Sequence, residues 1–145
     1  PHGALNYLAC RDEDLAFEIV KFLKINHPEL IMLAPALSKL ANVSEIEGIP
    51  TALEVYADRT YEDDATLTPR NIKGSLITDP VKSINHIKKI IQKEGIISRS
   101  GLLLPTKIHS ICLHSDTPNS VEISKKISIL LNSMSISQNK LTDIF

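Results

Sequence analysis

The sequence predicts an α/β fold built on a parallel sheet, and three observations carry that expectation. Short apolar runs alternate with amphipathic segments of helical period along most of the chain, the pattern of successive βα units. The run Ile111-Cys112-Leu113 stops at His114-Ser115-Asp116 and passes into Thr117-Pro118, a buried strand handing over to a helix start. Polar residues of the same type stand in two other segments, Pro1-His2-Gly3-Ala4-Leu5 and Leu53-Glu54-Val55-Tyr56-Ala57-Asp58-Arg59. In parallel α/β folds ligands bind at the C-terminal ends of strands, because helix N-termini converge there with unpaired N–H groups. About four βα units cannot close a barrel of about eight strands, so an incomplete (β/α) barrel or an open sheet is expected, as a single domain over residues 1–145.

Each element has its own local reason. Gly3 after His2 permits a left-handed backbone that would expose the imidazole at a strand-to-helix junction. From Asp12 onward Leu15, Ile19, Phe22 and Leu23 recur at helical spacing, with acids in the first turn, and His27-Pro28 stops the helix. Leu30 to Ala34 reads as a strand, and Pro35 as the start of a helix through Leu37, Leu40, Ala41 and Ile46 that Gly48 closes. Ile49 to Tyr56 reads as a strand in which Glu54 is a carboxylate among apolar residues. It needs a partner, either Arg59 or Arg70 in a structural ion pair or a substrate. Residues 57–75 lack any period and are rich in Asp, Thr, Pro and Arg, a long surface loop of the functional kind. Gly74 to Ile77 is a brief extended segment. Asp79-Pro80 opens a helix with Ile84, Ile87, Ile90 and Ile91 on one face and lysines opposite. His86 falls between the faces, at the surface, and Gly95 ends the helix. Residues 96–107 read as a hairpin or as a strand and loop, turning at Ser98 to Gly101. The last helix carries Val121, Ile123, Ile127, Leu130, Leu131 and Met134, and the polar tail from Ser135 frays.

Composition narrows the function classes. A net charge of -1 with acids and bases interspersed offers no electrostatic case for nucleic acid or a membrane surface. No apolar run approaches the roughly 20 residues that span a bilayer, so a soluble protein is expected. Two cysteines without a CxxC pair fit a reducing, cytoplasmic setting, with Cys112 a buried, inert thiol. A start on Pro1 without a lead-in suggests a stretch that begins partway through a longer protein.

The blocks Pro1-His2-Gly3-Ala4-Leu5, Glu54 to Tyr61, Leu67 to Arg70, Gly74 and Ile111 to Pro118 together resemble the LamB/YcsF family, that of the A subunit of bacterial-type 5-oxoprolinase. The resemblance runs from Pro1 to about Leu131 and corresponds to the C-terminal part of the family's length. The family's N-terminal Asp-Leu-Asn-x-Asp-x-Gly-Glu type signature has no counterpart here. It implies a (β/α) barrel of the glycoside hydrolase and deacetylase type, and ATP-dependent opening of 5-oxo-L-proline to L-glutamate with partner subunits B and C. Carried over, the polar residues of the matching blocks are His2, Glu54, Asp58, Arg59, Arg70, His114 and Asp116. His114, Asp116, Glu54 and Asp58 are then candidates for the chemistry, and His2, Arg59 and Arg70 for holding substrate. Three positions depart from the family: Asn6-Tyr7 where Tyr-Asn is usual, Ser115 where Gly is usual between His and Asp, and Asp64-Ala65 where a Gly usually precedes Thr-Leu. A Ser115 forced to positive φ would be strained by roughly 1–2 kcal/mol.

An unactivated lactam needs an electrophilic carbonyl, which phosphorylation of its oxygen by ATP would supply, and a base to direct water. His114 beside Asp116 or Glu54 suits that base, and Arg59 and Arg70 suit a carboxylate or phosphoryl group. No P-loop is present. Two alternatives stand beside this one. His2, His114 and Asp116 could ligate a metal in a deacetylase-like hydrolase. The third is an inactive, truncated family member acting as a binding subunit, since a barrel without its front strands has unpaired edges. Residues 1–145 alone are expected to lack 5-oxoprolinase turnover.

Overall fold

A computed structural model describes residues 3–145. The chain forms two compact units, Pro1–Glu54 with Lys140–Phe145, and Val55–Asn139. It is an α/β protein containing parallel strands.

In the first unit Gly3, at φ +59°, opens helix α1 (Gly3–Ala9), as its freedom from a Cβ allows. Helix α2 (Glu13–Asn26) is capped by Asp12, whose side chain accepts from Leu15 N–H at 3.0 Å, and ends at His27 as the His-Pro pair requires. Its buried residues are Ala16 and Val20, while Phe22 is 58% exposed. The inward stripe is thus rotated from the one the large apolar residues suggested, towards positions that are small enough for close packing on the next helix. Strand β1 (Met32–Pro35) pairs in parallel with β2 (Thr51–Tyr56), Met32 opposite Thr51 and Ala34 opposite Leu53. Pro35 ends β1 and does not open a helix. Ser38 caps α3 (Lys39–Ile46) instead, its Oγ accepting from Ala41 N–H at 3.1 Å. Lys24–Glu47 and Lys39–Glu13 pairs link α2 to α3 at the surface.

The second unit begins within β2, and residues 57–79 follow without a helix or regular strand. Helix α4 (Pro80–Lys93) has Asp79 as its cap and Pro at the first position, as the sequence indicated. Its C-cap is Glu94 at φ +48° and not Gly95, because Gly95 is needed elsewhere. Strands β3 (Gly95–Ile97) and β4 (Leu103–Pro105) form an antiparallel hairpin, and a Cβ on Gly95 would lie 2.6 Å from the Leu104 carbonyl oxygen. Of the two readings for residues 96–107, the hairpin is the one formed. Strand β5 (Ser110–Cys112) lies beside the end of β2, with Ala57 N–H donating to the Cys112 carbonyl at 2.8 Å. Helix α5 (Ser120–Ser133) packs on α4; its buried residues are Ile123, Ile127 and Leu131, and those of α4 are Ser83, Ile87 and Ile90. A short 3₁₀ turn, Leu141–Asp143, lies in the C-terminal tail. No helix among the described residues is long and apolar enough to cross a membrane.

Candidate active site

The site forms where the chain leaves β2 and where it leaves β5. Asp58, two residues past β2, is fully buried, and its carboxylate accepts from three donors. His114 Nδ1 lies 2.9 Å from Oδ2 and 3.1 Å from Oδ1, the His114 backbone N–H donates to Oδ2 at 3.2 Å, and the Thr117 hydroxyl donates to Oδ2 at 2.5 Å. A carboxylate has no hydrogen to give here, so the imidazole must carry its own on Nδ1, which leaves the Nε2 lone pair free. The ring stacks on Tyr56, centroids 5.7 Å apart and planes 15° apart. The Tyr56 backbone is held in turn, its N–H donating to the Tyr61 hydroxyl at 2.7 Å. The His114 side chain keeps 26% of its surface exposed, so the imidazole is oriented from below and open above.

The 114–117 segment is a tight turn, with Thr117 N–H donating to the His114 carbonyl at 3.2 Å. This explains a difference from the expected helix start. Asp116 or Thr117 before Pro118 should cap α5, yet the cap is Asn119 at φ +64° with no side-chain hydrogen bond to the helix. Thr117 is turned towards Asp58 and is unavailable for capping.

The 57–79 loop is as long as the sequence suggested, but it is cross-linked. Arg59 bridges backbone to Leu76, and its Nη2 donates to the Thr68 carbonyl at 2.6 Å. Arg59 was expected on the surface and is 2% exposed, with Nε and Nη1 buried and lacking hydrogen-bond partners. Its position within the loop's own fold explains the burial: the guanidinium is a pin between the two halves of the loop. Arg70 does lie at the surface, its Nη1 3.9 Å from Asp116 Oδ2, too long for a hydrogen bond. The Tyr61–Leu67 bridge closes a small hairpin in which Asp64 Oδ1 accepts from Thr66 N–H and Oγ1, and Asp63 accepts from Ser98 and Ser100. Those two hydroxyls hold the Asp63 carboxyl below its ordinary value.

Ser115 is not among the positive-φ residues, so the strain anticipated there is absent; it falls on Ala65, at φ +65°. Ala65 occupies the place where the resemblance sets a glycine, at the left-handed corner of the small hairpin. Ala65→Gly is expected to stabilise the protein by about 1 kcal/mol. Urea unfolding checks this, and an unchanged or lower midpoint would show that the corner is unstrained.

The structure therefore unites Asp58 with His114 and sets Arg70 near Asp116. Glu54 is partly buried in β2 and belongs to the first unit, and His2 lies outside the described residues. Thr117 and Tyr56 are site residues that sequence reasoning did not select. The available signals were Thr117 at three residues after His114, turn spacing, and Tyr56 at two residues before Asp58, strand alternation. His86 was placed at the surface but is largely buried against Tyr61, and burial pushes its imidazole pKa down, opposed by the Tyr56 and Arg59 carbonyls. It also lines a cavity of about 360 Å³ with Lys82, Asn85, Lys89, Ile90 and Ile97. Both cysteines are partly buried, Cys112 where full burial was expected, and burial raises the Cys10 thiol pKa. Among the described residues no three His, Cys, Asp or Glu side chains are grouped to hold a metal ion.

Comparison with known proteins decides the family, since the LamB/YcsF family profile matches residues 1–145. The chain belongs to the LamB/YcsF family. Among its relatives, a protein of Azoarcus sp. (strain BH72) named as the A subunit of 5-oxoprolinase is 41% identical over 128 residues, covering 88% of this chain and 50% of its own. A protein of the same name from Clostridium beijerinckii is 38% identical over 136 residues, covering 94% and 53%. This LamB/YcsF chain thus spans about half the length of the curated relatives it matches. The crystal structure of a lactam utilization protein from Thermus thermophilus superposes with a TM-score of 0.80 at 26% identity, over 94% of this chain and 54% of that one.

Proposed function

We propose that this chain forms part of the A subunit of a 5-oxoprolinase, opening the lactam of 5-oxo-L-proline to L-glutamate with ATP, and that His114 is its general base. The observation that carries this reading is the buried Asp58 carboxylate on His114 Nδ1, which leaves Nε2 able to take a proton from water. The names of the relatives supply the substrate class. In the reaction, His114 draws the proton from the attacking water through Nε2, Asp58 stabilises the imidazolium that forms, and as the ring C–N bond breaks the imidazolium returns that proton to the departing nitrogen. Arg70, half-exposed and not hydrogen-bonded to Asp116, has donors to offer a substrate carboxylate or phosphoryl group. That available guanidinium fits an anionic cosubstrate. ATP, when bound, supplies the activation of the lactam carbonyl by phosphorylation of its oxygen. Arg59 serves here as the internal pin of the loop that carries Arg70. The same reading includes partner subunits B and C, a cytoplasmic setting, and a place in a (β/α) barrel of the deacetylase type.

The test is glutamate and ADP formation from 5-oxoproline and ATP by the protein purified with its partner subunits. Turnover is expected to fall about 10²–10⁴-fold in His114→Ala. No turnover in the parent complex, or turnover untouched by the substitution, would remove the reading.

A further inference from the structure

We infer that Thr117 is a positioning residue that locks the Asp58–His114 pair. The kinetic part of this rests on the proposed role of His114 as base, while the structural part does not. Asp58 is completely buried, and its Oδ2 accepts three hydrogen bonds, two from His114 and one from Thr117. The two residues are the ends of one tight turn, so the carboxylate closes a ring through the turn's first and last side chains. The hydroxyl of Thr117 is 2.5 Å from Oδ2, shorter than either contact from His114, and Thr117 is itself buried. A hydroxyl donating to a carboxylate is among the stronger hydrogen bonds, and it restrains the carboxylate plane that the imidazole must meet.

A second, independent observation favours a role in the site. Local rules assign Thr117 or Asp116 to the cap of α5, a feature worth about 1 kcal/mol. The fold forgoes it and accepts Asn119 in the left-handed region, with the Asn119 amide donating instead to the Thr78 carbonyl. A helix that gives up its side-chain cap and tolerates backbone strain beside an oriented imidazole is a local rule broken at a site. The groups around the ring are Asp58 at Nδ1, held in turn by Thr117 on its Oδ2, the Tyr56 ring on its face, and the Arg70–Asp116 pair on the flanking loop and turn.

The experiment follows the His114 Nδ1–H proton by NMR in histidine-labelled protein, and kcat and KM in the assembled complex. Thr117→Val removes the hydroxyl at nearly constant shape, and Thr117→Ser keeps it. In Thr117→Val exchange of the Nδ1 proton with water is expected to quicken about tenfold or more, and kcat to fall about tenfold with KM unchanged. Thr117→Ser is expected to stay within about twofold of the parent in both. Thr117→Ala takes the place of the valine variant if that does not fold. Exchange unaltered in the hydroxyl-free variants, or a serine variant that behaves like valine, would overturn the inference. The exchange measurement needs no substrate, so it stands or falls separately from the lactam reading.

Discussion

Asp58→Asn is expected to lower turnover of the assembled enzyme by about 10³–10⁴-fold while leaving the protein folded. An amide in this position presents one acceptor and one donor group where the carboxylate accepts from three donors. The arrangement that keeps the Thr117 hydroxyl and the His114 N–H paired turns the amide nitrogen towards His114 Nδ1. With an N–H donor at the Oδ1 place, 3.1 Å from Nδ1, facing the Nδ1 hydrogen and an oxygen left only at the Oδ2 place, 2.9 Å away, the Nδ1–H tautomer loses its advantage. In the other tautomer Nδ1 accepts, Nε2 carries the hydrogen, and the imidazole faces the substrate with a donor where a base is required. Long-range nitrogen–proton NMR reads the tautomer directly, and the glutamate assay reads the consequence. A loss smaller than about tenfold, or an unchanged Nδ1–H tautomer, would mean that Asp58 does not set the state of His114.

The largest effect on stability is expected at Ile87, in Ile87→Ala, at about 2–5 kcal/mol in denaturant unfolding. Ile87 is fully buried on α4, the helix that packs against both α5 and β3. Removing three carbons there leaves a cavity among helices whose backbone is fixed by the Asp79 cap and by the hairpin at Gly95, so little collapse can refill it. Circular dichroism against urea measures the change. A loss below about 1 kcal/mol would show that the α4 interface is plastic.

Much of this protein was legible residue by residue. The Asp12, Asp79 and Gly3 signals were read correctly because a cap or a positive φ is a local event, decided by the few residues involved. The long loop was found by its lack of period, and Asp58 and His114 were singled out from the resemblance and from their places after apolar strands. The helix entries at Pro35 and Pro118 were misread for one reason, since each sequence offers a permissible start and the selection lies in what the neighbouring side chains do. Ser38 captures the first helix, and Asp58 takes Thr117 away from the second.

Sequence alone determined the alternation of strands and helices, the family, and the kinds of residue that stand at the strand ends. Tertiary structure decided which of them meet. Asp58 and His114 are 56 residues apart, and nothing between them encodes their contact; it appears only when the ends of β2 and β5 lie side by side. Arg59 and Arg70 look alike in sequence, yet one is enclosed by the loop it pins and the other stands at the surface near Asp116. The physical reason is that periodicity and capping depend on near neighbours, while burial and hydrogen-bond partnership depend on which distant segments fill the space around a side chain.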